Sequence, residues 1–117
     1  YLGGSYRYAV TTRDSGGNVE DANSDGASFM LLTGDDVGNE SDESFNAEIV
    51  LYDPSNAAFH KNVSFQGSYF DHASLPNFLL GAGSNTGSVA AVTGIKFQFS
   101  SGNILEGSFT MYGMAKA

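Results

Sequence analysis

The residues of this chain that could do chemistry are oxygen donors and two imidazoles. Asp21 to Gly26 reads DANSDG, which fits D-x-[DN]-x-[DN]-G, the opening of a calcium loop. Asp21, Asn23 and Asp25 would offer hard oxygen ligands, and Gly26 would allow the sharp turn. Position 12 of such a loop, counted from Asp21, should be a bidentate Glu and is Leu32, so an EF-hand does not follow. A different Ca2+ loop would have to borrow Asp35, Asp36 or Glu40. The competing reading is a solvated, Asx-rich turn. Asp35, Asp36, Glu40, Asp42 and Glu43 then form an acidic run, of the kind that usually solvates a loop. His60 and His72 are the only histidines. They are far apart in the chain, and zinc needs three or four converging ligands.

Signs of catalysis are missing. No G-x-S-x-G elbow occurs. The Gly-rich stretches GGSYR and GAGSN lack the Lys and the helix of a phosphate loop. Glycoside hydrolysis needs two carboxylates on rigid elements. Here only Glu48 falls in a predicted strand, and it has no evident partner. The expectation is a non-enzymatic protein with no cofactor, Ca2+ at DANSDG being the one candidate. Tyr6, Tyr8 and Tyr52, with Phe70 and Tyr112, could form a flat aromatic platform for sugar rings. They could equally fill the second side of a sandwich or a subunit interface, where Tyr keeps its hydroxyl wet.

The elements that must hold these residues read as strands. Gly is frequent, no helical period of useful length appears, and apolar residues recur at every second position. Alternation predicts strands over Ser5–Thr12, Phe45–Tyr52 and Phe59–Phe70, with a bulge at Gly67. Ser28–Thr33 reads as a short buried strand. Composition predicts loops over Gly16–Gly26 and Gly34–Ser44, the latter acidic and mobile. A Gly/Ser/Asn-rich stretch runs to about Gly87, with Phe78, Leu79 and Leu80 tucked beneath it. Asp53-Pro54-Ser55-Asn56 is a turn signal. Alternation also predicts strands over Ala90–Phe99 and Glu106–Met114, and Val92–Phe99 and Ser108–Met114 pair as a terminal hairpin through SSGNILEG. These strands need a second layer to cover their apolar face. The expected fold is therefore all-β: one domain over residues 1–117, an antiparallel β-sandwich of jelly-roll type with about six to eight strands.

The 117 residues suffice for one core, and the absence of Cys excludes a disulfide framework and thiolate metal sites. The net charge of −8 is lopsided. Residues 1–58 hold eleven acids against Arg7 and Arg13, a balance of −9, whereas residues 59–117 hold Lys61, Lys96 and Lys116 against Asp71 and Glu106, a balance of +1. Such an acidic half is repelled by nucleic acid and by anionic membranes, so neither is an expected partner. No run of about 18 apolar residues is present to span a bilayer as a helix.

VTGIKFQFSSGNILEGSFTMYGM, at the C-terminal end, resembles the terminal signature of small tailed-phage virion proteins. The matching residues are Ile95, Phe97, Phe99, Ser101, Gly102, Asn103, Gly107, Phe109, Tyr112 and Gly113. AEIVLYDPSNAAFHKNVSFQGSYFD is similar to the middle of the same family, through Phe59, His60 and Lys61. The resemblance covers roughly residues 45–114. It implies a virion-surface component without catalysis: a head decoration or cement protein, a head fibre, or a tail appendage. The partners it implies are copies of the chain itself, with a trimer favoured, and other virion proteins such as the major capsid protein. Ser101, Gly102, Asn103, Ile104, Leu105 and Tyr112 are the expected interface residues. The other reading is a receptor- or glycan-binding domain of a phage fibre, using Tyr6, Tyr8 and Tyr52.

Overall fold

The computed structural model describes residues 5–115. Five strands make one open antiparallel sheet, and no helix occurs among the described residues. The strands are β1 (Tyr6–Asp14), β2 (Val19–Ala27), β3 (Phe45–Leu51), β4 (Lys61–Phe70) and β5 (Pro76–Asn85). Their order across the sheet is β2-β1-β5-β4-β3. The last strand in sequence is thus the central one, laddered to β1 on one side and β4 on the other.

Two turns of similar build place β2 and β5. In the β1–β2 turn, the Asn18 amide donates to Asp14 Oδ1 at 2.9 Å, and Gly17 takes a left-handed φ of 96°. In the β4–β5 turn, the Leu75 amide donates to Asp71 Oδ1 at 3.0 Å, and Ser74 takes a φ of 58°. Each turn holds three residues between its hydrogen-bonded closing pair, Asp14–Asn18 or Asp71–Leu75, the last of the three left-handed, a standard hairpin solution. The Ser15 amide donates to Pro76 O at 3.0 Å, so the two turns are tied together at one end of the sheet.

Strand periodicity sorts the side chains onto two faces. Val10, Thr12, Phe65, Tyr69 and Leu79 are buried on one face, with Phe45, Ile49 and Val63 packed beside them. Segment 28–44 crosses this face. Leu32 and Val37 pack on the core, the Gly34 amide donates to Thr12 Oγ1 at 2.8 Å, and the Gly38 amide to Phe70 O at 2.7 Å. The inward side of β5 is flat at Gly81 and Gly83. A Cβ on Gly81 would collide with the Phe65 ring, and one on Gly83 would lie 2.8 Å from Met30 Sδ. The glycines make room for the core instead of breaking the strand.

Several expectations are corrected by this arrangement. DANSDG lies in strand β2 rather than in a loop, because the tight turn at Gly17 sends the chain straight back along β1. The Gly/Ser/Asn-rich stretch holds β5, where glycine admits Phe65. Ser28–Thr33 forms no strand and serves as part of the cover. The acidic loop is tied to the β4–β5 turn, for Ser74 Oγ donates to Glu43 Oε1 at 2.8 Å. Gly67 keeps regular register; it lies against the Asn46 carbonyl, and the one register shift in β1 falls between Tyr6 and Arg7. The terminal hairpin is not formed as paired strands, for no strand is present from residue 86 to residue 115.

Two measurements test this account. Gly81→Ala should lower stability by about 1–3 kcal/mol through overpacking against Phe65. The outward-facing Ala82→Ser should change it by less than about 0.5 kcal/mol in the same denaturant titration. Asp71 gives the second test. Its carboxylate is buried and accepts from the Ala73 and Leu75 amides and from Asn77 Nδ2 at 2.8, 3.0 and 2.8 Å. Burial raises its pKa, but the hydrogen bonds from Leu75, Asn77 and Ala73 outweigh that and the net shift is downward. The unfolded chain therefore takes up this proton first as pH falls. The Asp71 contribution should be whole above about pH 4 and drain away below it, and Asp71→Asn should flatten that acid limb.

Candidate functional site

Among the described residues, no element covers the second face of the sheet. Central strand β5 points Phe78, Leu80, Ala82 and Ser84 outward, and Phe78 and Leu80 remain 61% and 60% exposed. Leu79, between them, is buried on the other side, so the expectation that all three tuck under a loop is corrected for Phe78 and Leu80. Beside Leu80 the outward residues of β1 and β2 are small or polar. Ala9, Thr11, Asp21, Asn23 and Leu80 line an open hollow of about 320 Å³. An apolar strip with a hollow beside it, in the middle of a sheet, is a surface suited to packing rather than to solvation.

The C-terminal segment is the other unpartnered apolar feature. It leaves β5 at Asn85 and is clipped to the end of the sheet. The Thr86 amide donates to Ser5 O at 2.9 Å, and the Val92 amide to Pro54 O at 2.8 Å. The clip between them is Lys61. Its ammonium is buried and donates to Phe59 O at 2.7 Å and Val89 O at 3.0 Å. His60 Nδ1 lies 3.4 Å from Ser88 O. Beyond Val92, every residue from 93 to 115 is exposed. The alternation of Ile95, Phe97 and Phe99 and of Phe109 and Met111 is present without a sheet to receive it. Its two arms do face each other, for the Phe97 and Phe109 rings stack with centroids 5.3 Å apart.

The predicted interface residues lie on this segment. Ser101, Gly102, Asn103, Ile104 and Leu105 form its bend, with Gly102 at φ 75° and Leu105 fully exposed. Tyr112 is 87% exposed on the returning arm. The three tyrosines of the sugar platform are not brought together. Tyr6 and Tyr8 are half-buried on the covered face, whereas the Tyr52 hydroxyl lies 3.1 Å from Ser64 Oγ, on the open face. Asp21, Asn23 and Asp25 alternate along β2 on its exposed side, too spread to wrap one ion as a loop would. Asp25 is engaged by Arg7, Nε to Oδ1 at 2.8 Å, in an exposed ion pair.

A different set of cation donors converges where the covering segment meets the β4–β5 turn. Ligand atoms of Asp35, Asp36 and His72 lie within 4.8 Å of one another, beside a cleft of about 180 Å³ that Asp71 and Glu20 also line. Asp36 and His72 are exposed and Asp35 is half-buried. Such a trio could hold a divalent ion with water completing the shell, although exposed groups of this kind are common without one. Sequence reasoning had treated the acids and His72 separately, because nothing in their spacing shows that β4 ends against the acidic loop. It also passed over Lys61 as a structural residue. Comparisons of the chain with protein-family models, curated proteins and solved structures found no match.

Lys61 is the residue that sets where the C-terminal segment departs. Lys61→Met keeps the bulk and removes the donor, leaving two carbonyls short of a partner. It should cost about 1–3 kcal/mol. The Val92 amide should then exchange with solvent faster in hydrogen-exchange mass spectrometry, while the β1 amides keep their protection at equal global stability. Unchanged Val92 exchange would show that the segment is anchored by other contacts.

Proposed function

We propose that this chain is a non-enzymatic structural subunit of a virion surface, a capsid decoration or cement protein or a surface appendage. It acts by associating with its own copies, a trimer being favoured, and with shell proteins such as the major capsid protein. Its sheet is one layer of a β-sandwich that is completed on association. The observation that carries this reading is the run of exposed apolar side chains from Ile95 to Met114, patterned as strands yet unpaired. Isolated soluble chains seldom present so much contiguous apolar surface. The same residues carry the resemblance to phage virion proteins. The separation of Tyr6 and Tyr8 from Tyr52 across two faces leaves a sugar platform without support.

Native mass of the purified chain tests this directly. The expected result is a closed oligomer of the 12.3 kDa subunit, a trimer being the favoured size. Its mass should not change with a chelator, because apolar contacts rather than a bridging cation would hold it. The oligomer should also co-sediment with shells of a tailed phage's major capsid protein. A monomer that binds no virion component would overturn the reading.

A further inference from the structure

We infer that the open face of the sheet is the docking site for residues 94–114 of a second copy of this chain. This rests on the self-association proposed above and names the contact that produces it. Each copy has one open sheet face, on which Phe78 and Leu80 stand between Thr11 and Arg13 on one side and Gln66 and Ser68 on the other, and one apolar segment patterned as two strands. The segment is held at the end of the sheet by Lys61 and Pro54, and Phe78 and Leu80 stay 61% and 60% exposed while Phe109 stays 68% exposed.

Shape and charge favour a second copy as the occupant. Phe97, Phe99 and Phe109 keep 37%, 40% and 68% of their surface exposed. At roughly 200 Å² per ring they would bury about 300 Å² in one docking, before Ile95 and Met111 are counted. In a two-fold exchange every copy makes that contact twice, once as giver and once as receiver. The hollow of about 320 Å³ beside Leu80 is open enough to receive an aromatic ring. The segment holds one Lys and one Glu, Lys96 and Glu106, so it is neutral in a chain of net charge −8. Copies of an acidic chain repel least there, and interface centres are poor in charge. Exchange around a closed ring lets every copy both give and receive, so that no apolar surface is left over.

The experiment combines photocrosslinking with isotope mixing. The full chain is made with photoreactive benzoylphenylalanine in place of Leu80, in ¹⁴N and ¹⁵N forms. The two forms are mixed under dissociating conditions, reassembled, irradiated and mapped by mass spectrometry. The expected product joins position 80 of one isotope to a peptide within 94–114 of the other. A same-isotope product alone would mean that the segment folds back on its own sheet, and would overturn the docking. An oligomer that crosslinks elsewhere, or not at all, would overturn the docking and leave self-association standing. A monomer would overturn both. As a second measurement, Leu80→Lys should weaken association at least about tenfold by placing an unpaired charge in the contact. Its circular dichroism should stay that of the parent, since Leu80 is outside the buried core. Unchanged association of Leu80→Lys would equally overturn the docking.

Discussion

The seating of the Phe65 ring on Gly81 is the contact on which the rest of the structure depends. β5 is the central strand, and it can be central only if its inward side leaves room for the large side chains of its neighbours. Gly81 and Gly83 provide that room, and Phe65, Val10 and Leu79 close over it. Take away the space at Gly81 and β4 must move off β5. That would separate β3 and β4 from β1 and β2, because no other strand joins the two halves.

From this follows the difference between the two faces. One face has a deep seat and a covering segment, tied down by Thr12, Phe70 and Ser74. The other has outward apolar groups on the central strand, Phe78 and Leu80, that stay exposed among the described residues. A sheet so covered on one side only keeps a face free for packing. The segment with strand patterning, residues 94–114, does not return to that face, for Lys61 clips it where it leaves past the end of the sheet.

Much of the fold could be read from the sequence where alternation is carried by large side chains. Tyr6, Tyr8 and Val10 in β1, Phe45 and Ile49 in β3, and Phe65 and Tyr69 in β4 mark their strands because each inward residue is bulky. β2 and β5 were hidden for opposite reasons. β2 is an edge strand in which only the small residues Ala22, Ser24 and Ala27 are half-buried, so polar residues are tolerated and the pattern looks like a loop. β5 places glycines inward, and glycine normally signals a turn. The terminal pattern was legible as strands, but a pattern specifies a pleat and a face, not which chain supplies the partner. The Asp35–Asp36–His72 group could not be read at all, because it depends on where β4 ends in space.

The edges of the sheet differ as much as its faces. β2 shows Glu20, Asp21 and Asp25 along one border, while β3, rich in Ile49, Val50 and Leu51, forms the other. An open-ended filament grown by edge addition needs both borders to accept a strand, and acidic side chains make the β2 border a poor template. Growth by that route therefore stops after one step. The acids of β2 thus act as a terminator at that border, a charge barrier set by three side chains of one edge strand.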